Sequence, residues 1–140
     1  MNIRVKLFLA MAALVLGCGM AVVTSEQRDW AFIQSVGGLA IDEPQKLETG
    51  NYRLPIRCDV SGREITIKPT TANSGLIVRE TCCAIRAHSI QIWIKTCLAD
   101  GKHNALAPDV ILKNPPPGAY QVQYRSRDGS LTHLREIEIR

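Results

Sequence analysis

The chain lacks the short motifs by which the commonest hydrolases and redox enzymes are recognised. Its 140 residues contain no G-x-S-x-G, no H-E-x-x-H and no S-x-x-K sequence, the patterns that place a nucleophile or a zinc ion in hydrolases. Thioredoxin-type chemistry uses Cys-x-x-Cys at the start of a helix, and that spacing is missing too. We therefore expect no catalytic residues and no enzymatic activity. An enzyme whose site is assembled from residues far apart in sequence stays an alternative.

A long apolar run is also missing. Residues 7–23 are uncharged but include two glycines, and they fall short of the roughly 20 apolar residues that a membrane-spanning helix needs. Arg4 and Lys6 precede this run and small residues follow it, which is typical of an export signal. The stretch Val15-Leu16-Gly17-Cys18 resembles a bacterial lipobox, which implies that Cys18 is lipidated and becomes the first residue of the mature protein.

Two other interpretations of the N-terminus stay open. Gly19-Met20-Ala21 is a small-x-small cleavage site, and cleavage before Val22 would discard Cys18. A membrane anchor formed by residues 7–23 is the third. All three place the body of the protein outside the cytoplasm. We expect it on the periplasmic side of the cell envelope, with a lipid anchor, at the outer membrane, as its only membrane contact.

Positive charge is too sparse for a nucleic-acid binder. The formal net charge of +4 falls to +2 when Arg4 and Lys6 leave with the signal, and the remaining arginines are scattered along the chain. A protein that binds nucleic acid clusters Lys and Arg to neutralise several phosphates. We therefore expect a protein partner in the envelope and no nucleic acid. The roughly 120 residues left after processing suffice for one domain.

No segment shows a sustained helical period, whereas short alternating segments recur from residue 37 onward. The alternating segments are residues 39–41, 52–60, 65–67, 76–87, 90–98, 110–112, 120–125 and 137–139. Seven or eight short strands separated by Gly, Pro and Asn predict an all-β chain folded as a single immunoglobulin- or fibronectin-like β-sandwich. The expected domains are a signal at 1–21 (1–17 if Cys18 is lipidated), a tether at 22–36 and the sandwich at 37–140. Residues 25–34, in which Trp30, Phe32 and Ile33 are embedded, are alternatively a short helix that leads into the domain. Pro55 predicts that its strand lies at a sheet edge.

The last alternating segments carry a resemblance. The sequence Pro117-Gly118-Ala119-Tyr120-Gln121-Val122-Gln123-Tyr124-Arg125, followed by the turn Asp128-Gly129, resembles the closing hairpin of bacterial envelope immunoglobulin-like domains. It is similar in particular to that of periplasmic copper-resistance proteins, over about a dozen residues. The Met-rich and N-terminal His copper ligands of those proteins are missing from this sequence. The resemblance therefore implies the fold class, and we expect no metal and no other cofactor.

Four cysteines lie in the body of the protein: Cys58, Cys82, Cys83 and Cys97. An even number in an oxidising compartment predicts two disulfides. Adjacent strand residues point to opposite faces, so Cys82 and Cys83 need partners on opposite sides of the sheet.

A hairpin that turns near residues 88–89 would put Cys83 on the core face and Cys82 on the face of Cys97. We expect Cys58–Cys83 in the core and Cys82–Cys97 on the outer face. A register slip of one residue would exchange Cys82 and Cys83. Cys58–Cys97 with a vicinal bridge is the alternative.

A metal-handling protein is the alternative function. Cys82, Cys83, Cys97 and His88 carry the thiolate and imidazole groups that bind zinc or copper. Their spacing matches neither C-x2-C nor H-x3-H, and exported thiols are commonly oxidised. Structural disulfides are therefore favoured over metal ligation.

Trp93 is the main candidate for a binding surface, together with Lys95 and Gln91. All three fall on the polar phase of their strand, opposite Ile90, Ile92 and Ile94. Large aromatic side chains are costly to leave in water and commonly anchor interfaces. The alternative is that a second layer or the N-terminal segment covers Trp93. The sequence thus predicts a binding or assembly module rather than a catalyst.

Overall fold

The computed structural model describes residues 26–57, 59, 76–98 and 107–140. The predicted signal with Cys18, the predicted strand at 65–67 and Cys58 lie outside these residues. Within the described ranges, no helix is both long and apolar enough to cross a bilayer.

The described residues form ten strands and one short helix, so the chain is all-β as predicted. In chain order the elements are β1 Glu26–Gln27, α1 Trp30–Ser35, β2 Ala40–Ile41, β3 Gln45–Lys46, β4 Tyr52–Leu54, β5 Ile56–Arg57, β6 Leu76–Arg86, β7 Ser89–Leu98, β8 Val110–Leu112, β9 Gly118–Arg125 and β10 Leu131–Ile139. Period-two alternation and turn-forming residues explain most of these boundaries. The five-residue loop between β9 and β10 contains the predicted Asp128-Gly129 turn, in which Gly129 adopts φ +87°.

The largest sheet has five strands, with β7 at its centre. Strand β6 pairs antiparallel with one edge of β7 through a tight turn at Ala87 and His88. The other edge of β7 is shared. Its first half pairs in parallel with β9, from Ser89 opposite Gln121 to Ile92 opposite Tyr124, and its second half pairs antiparallel with β1. Strand β10 continues the sheet beyond β9.

Two smaller sheets consist of β3-β4-β8 and β2-β5. The alternating segment that begins at Tyr52 contributes to both, because it is interrupted at Pro55 between β4 and β5. Strand β4 lies between β3 and β8, so Pro55 follows a central strand rather than lying within an edge strand. Proline has no N–H for a ladder, and its carbonyl instead accepts a hydrogen bond from the Asp42 N–H at 3.0 Å.

The core is formed by apolar side chains from all three sheets. The fully buried large side chains are Ile33, Leu54, Ile56, Ile90, Ile92, Ile94, Leu112, Val122 and Tyr124. The predicted alternation of β7 is confirmed from residue 90 to 95 and breaks down at the end of the strand. Cys97, predicted on the polar face, is 2% exposed, and Leu98, predicted on the apolar face, is 64% exposed.

Residues 26–36, predicted as part of a tether or as a short helix that leads into the domain, pack into the domain, and residues 30–35 are helical. Strand β1 pairs with β7, and Ile33 of α1 is completely buried. The ring of Trp30 lies 5.4 Å from that of Tyr124, and the Trp30 N–H donates to Ser126 Oγ at 2.9 Å. These contacts join residues about a hundred positions apart, so periodicity within the segment could not reveal them.

The Tyr124 hydroxyl ties this segment to the centre of the sheet. It donates to the Arg28 carbonyl at 2.7 Å and accepts from the Ile94 N–H at 3.3 Å. We predict that Tyr124→Phe lowers the free energy of unfolding at pH 7 by about 1–3 kcal/mol, since the Arg28 carbonyl loses a buried partner. Chemical denaturation of both proteins measures the loss, and equal stability would contradict the role of this hydroxyl.

The pH dependence of the free energy of unfolding should also differ between the wild type and Tyr124→Phe. Burial raises the pKa of Tyr124 to about 12 from an ordinary value near 10. A raised folded-state pKa means that the stabilisation is complete below about pH 10 and is lost as pH rises towards 12. Wild-type stability should therefore fall more steeply over this interval than that of Tyr124→Phe, with parallel curves as the contrary result.

Candidate functional site

The face of the large sheet opposite the core carries the predicted binding residues. Strand pairing places side chains from four strands on this outer face, which we define as Gln27, Glu80, Cys82, Gln91, Trp93, Lys95, Gln123 and Arg125. Gln91, Trp93 and Lys95 are all half-buried there, between the fully buried Ile90, Ile92 and Ile94. The structure thus brings the three predicted residues onto one face.

Trp93 is partly exposed, as predicted, and it packs at the margin of the core cluster. The Arg125 guanidinium lies over its ring, with Cζ 3.7 Å from the centroid. This stacking is a cation–π contact, and it fixes the orientation of both side chains. The Gln27 amide donates to the Arg125 carbonyl at 2.7 Å and so holds the Arg125 backbone. Sequence reasoning missed Arg125, since the pairing across strands that sets this contact is not local.

The described part of the N-terminal segment, from residue 26 onward, does not form a layer over Trp93. Strand β1 lies beside β7, with Gln27 opposite Lys95, and therefore extends the sheet within its own plane. Lys95 forms an ion pair with Glu80 at 3.0 Å. The hydrogen bond from Lys95 lowers the pKa of Glu80, and the same bond raises the pKa of Lys95. Because this pair offsets its own charge, Arg125 is the cation left beside Trp93.

Gln91 lies in a row of polar side chains beside this stack. It is opposite Gln123 on β9, and the Gln123 side-chain oxygen accepts a hydrogen bond from Ser89 Oγ at 2.7 Å. Amide side chains both donate and accept hydrogen bonds. The outer face therefore combines an aromatic ring, a cation and amide groups in fixed positions.

The cysteine register corrects one predicted disulfide. Cys82 lies opposite Trp93, and Cys97 lies opposite Ile77, so the two thiols are separated by four residues along β7. At about 3.3 Å per residue this is roughly 13 Å, whereas disulfides need Cα atoms within about 7 Å. The predicted Cys82–Cys97 bridge is absent, and Cys82, Cys83 and Cys97 are free thiols. Alternation along a strand determines the face on which each thiol lies but not the distance between two thiols along the strand.

Two further cysteine predictions concern the position of Cys83 in the hairpin and its disulfide with Cys58. The predicted hairpin is present, with its turn at Ala87 and His88, one residue before the predicted 88–89. Cys83 lies on the core face, as predicted, opposite Ile92. Burial raises the pKa of the Cys83 thiol. Its predicted partner Cys58 lies outside the described residues, so the structure describes no pairing between them.

The structure does not gather the ligands of the metal-handling alternative. Cys82 and Cys83 point to opposite faces of β6, and His88 lies in the turn at the other end of the hairpin from Cys97. Among the described residues, no group of three His, Cys, Asp or Glu side chains could hold a metal ion.

A cavity lies where the β6–β7 turn meets β9 and β10. This open cavity of about 530 Å³ is lined by Arg86, Ala87, His88, Ser89, Ala119, Tyr120, Gln121 and Glu136. The turn includes Ala87 at φ +51°, and the rings of His88 and Tyr120 lie 6.2 Å apart. The residues that line the cavity come from separate parts of the sequence, and the parallel pairing of β7 with β9 brings them together. The arrangement offers charged and amide groups for hydrogen bonding.

Comparison with known proteins does not assign the chain to a family. No protein-family model matches the chain, and searches of the curated proteins and of the solved structures find no match.

The contact between Trp93 and Arg125 gives a measurable coupling. In a double-mutant cycle with Trp93→Leu and Arg125→Gln, we predict a coupling of about 0.5–1 kcal/mol in the free energy of unfolding. Arg127→Gln in the exposed loop is the matched control, and its cycle with Trp93→Leu should give no coupling. Equal coupling energies in the Arg125 and Arg127 cycles would show that the stacking of Arg125 on Trp93 contributes nothing to stability.

Proposed function

We propose that this protein is an exported envelope module that binds a protein partner through the outer face and has no catalytic activity. The observation that carries the proposal is the half-exposed Trp93 with the Arg125 guanidinium 3.7 Å from its ring centroid. Tryptophan and arginine are the residue types most enriched where binding energy concentrates in interfaces.

The geometry of this pair supports a binding role in two ways. The ring and the guanidinium hold each other in place, so less conformational entropy is lost when a partner docks. The guanidinium is planar and carries donors at its edge, which suits a carboxylate of the partner. We propose that the partner places an apolar group against Trp93 and a carboxylate against Arg125.

We also propose that the three sheets form an immunoglobulin-like β-sandwich. The core cluster contains Leu54 from the three-stranded sheet and Ile56 from the two-stranded sheet together with Ile92 and Tyr124 from the large sheet, as expected when sheets pack face to face. In that arrangement one face of the large sheet is buried in the core, and the outer face is available for binding.

The proposed location follows from the N-terminal sequence. An uncharged apolar run that ends in Leu16-Gly17-Cys18 supports export followed by lipidation of Cys18. A lipid on this residue would hold the domain at the periplasmic side of a membrane, where an envelope partner is within reach.

The binding proposal predicts that Trp93→Ala weakens partner capture more than it weakens the fold. We expect at least a tenfold loss of an envelope protein captured by the wild-type domain, measured by quantitative mass spectrometry after crosslinking. Ile111→Ala is the matched control, because Ile111 is an exposed apolar residue, 42% accessible, on a different sheet. If Trp93→Ala instead lowers stability by the roughly 3–5 kcal/mol of a core aromatic deletion, the binding role of this face is wrong.

The anchor is tested separately. We predict that the wild-type protein partitions into detergent and that Cys18→Ala releases it to the aqueous phase, since each buried methylene of a lipid contributes about 0.8 kcal/mol. Intact mass of the mature protein identifies the modified N-terminus. A mature protein that begins at Val22 would show a soluble periplasmic form and overturn lipidation.

A further inference from the structure

Strand β6 has one edge paired with β7 and a second edge with no pairing strand among the described residues. Residues 80–86 form its regular part, between a bulge that follows Val78 and the turn at Ala87. This stretch of seven residues reads Glu-Thr-Cys-Cys-Ala-Ile-Arg, and we call it the β6 edge segment. It contains no proline and no lysine, two residue types that commonly protect an edge strand from pairing.

The hydrogen bonds of β7 show which backbone groups of the β6 edge segment face outward. The carbonyls of His88 and Ile94 accept from the Gln121 and Arg28 N–H groups on the far side of β7, both at 2.9 Å. The backbone N–H and C=O groups of even-numbered β7 residues therefore point away from β6, and those of odd-numbered residues point towards β6.

The register then assigns the outward groups. Cys82 and Ala84 lie opposite the odd-numbered Trp93 and Gln91 and bond to β7, whereas Thr81, Cys83 and Ile85 lie opposite even-numbered residues. The N–H and C=O groups of these last three residues therefore point to the second edge. Such a row of groups is a template for an added strand.

The side chains at this edge are also incompletely covered. Ile85 is 39% exposed, and Cys83 is half-buried. The Thr81 Oγ1 is buried without a hydrogen-bond partner among the described residues. A strand added at this edge would cover the apolar groups and bring backbone polar groups beside Thr81.

We propose that the β6 edge segment pairs antiparallel with the same segment of a second copy, about a two-fold axis at Cys83. The pairing joins Thr81 to Ile85 of the second copy and Cys83 to Cys83 of the second copy. The outward groups supply about six backbone hydrogen bonds, two for each hydrogen-bonded pair. The interface is isologous, so it closes as a dimer and does not propagate.

Charge complementarity identifies a second copy as the occupant. In this register Glu80, whose Oε1 binds Lys95, presents its second carboxylate oxygen to Arg86 of the second copy, and the two-fold axis repeats the pair. Opposite charges directly across two strands are favourable. Arg86 is exposed and has no ion pair among the described residues. A register centred on Cys82 would instead place Glu80 opposite Ala84 and Arg86 opposite Val78, and would lose both pairs.

A disulfide between the Cys83 thiols of the two copies would identify the register of the dimer. Residues opposite each other in a hydrogen-bonded pair have Cα atoms about 5.5 Å apart, within the range of a disulfide. Oxidised glutathione would convert the two Cys83 thiols of a dimer into one disulfide and would itself be reduced to two molecules of glutathione. The reaction is run at pH 9, because burial raises the pKa of Cys83 and the thiolate is the attacking species.

Charge exchange between two variants is the first test. Sedimentation velocity over a concentration series measures the dimer dissociation constant of the full chain, with Cys18→Ala in every protein so that no lipid drives association. Arg86→Glu alone and Glu80→Arg alone should each raise the constant roughly tenfold, because like charges then meet twice. An equimolar mixture of the two should return to within about threefold of wild type, since every Glu again faces an Arg.

Arg53→Glu is the matched control, because Arg53 is an exposed arginine on β4, in a smaller sheet. It should leave the dissociation constant unchanged. A wild-type protein that stays monomeric at all concentrations, or a mixture that fails to restore the dimer, would overturn the proposal. An effect of Arg53→Glu equal to that of Arg86→Glu would do the same.

Crosslinking is the second test. With oxidised glutathione at pH 9, Cys82→Ala should still form a covalent dimer, Cys83→Ala should lose it, and peptide mapping should find Cys83 joined to Cys83. A crosslink through Cys82 would overturn this register. Hydrogen exchange tests whether the edge is already occupied in the monomer. If the amides of Thr81, Cys83 and Ile85 are protected from exchange in a monomer, another segment of this chain pairs with the edge. That result would exclude the dimer.

Discussion

Strand β7 is hydrogen-bonded along both edges, and the arrangement of the large sheet depends on this double pairing. One edge binds β6, while the other binds β9 in parallel and then β1. With its backbone satisfied on both sides, β7 can bury Ile90, Ile92 and Ile94 completely without leaving polar groups unpaired. The same strand then presents its alternate side chains, including Trp93, on the outer face. Core and candidate site are thus two sides of one strand.

Much of this arrangement could be predicted from local sequence. Alternation identified β7 and its buried face, the tight turn before Ser89 set the hairpin with β6, and Asp128-Gly129 marked the closing turn. Each of these depends on residues that are neighbours in the chain, where the period of two and the preferences of turn residues apply. The partial exposure of Trp93 followed from the same alternation.

The rest depends on contacts between distant parts of the chain. Alternation gave the side of the sheet on which Cys82 and Cys97 lie, but not their separation along β7. The cation over Trp93 and the cavity beside His88 both require the placement of β9 against β7, which no local pattern contains. Residues 26–36 resembled a tether because their anchoring partners, Tyr124 and Ser126, lie near the other end of the sequence.

That anchoring has a mechanical consequence. Arg28 and Trp30 are held by Tyr124 and Ser126, and the Asp29 carboxylate accepts from the Arg127 N–H at 2.9 Å. Tension applied to the chain before residue 26 is therefore passed to the middle of the large sheet and not to a loose end. The two-residue β1 would peel from β7 first, since it has the fewest bonds. The contacts of residues 28–30 would then resist the pull, so the outer-face residues of β7 and β9 would keep their places after the Gln27 contact with Arg125 is lost.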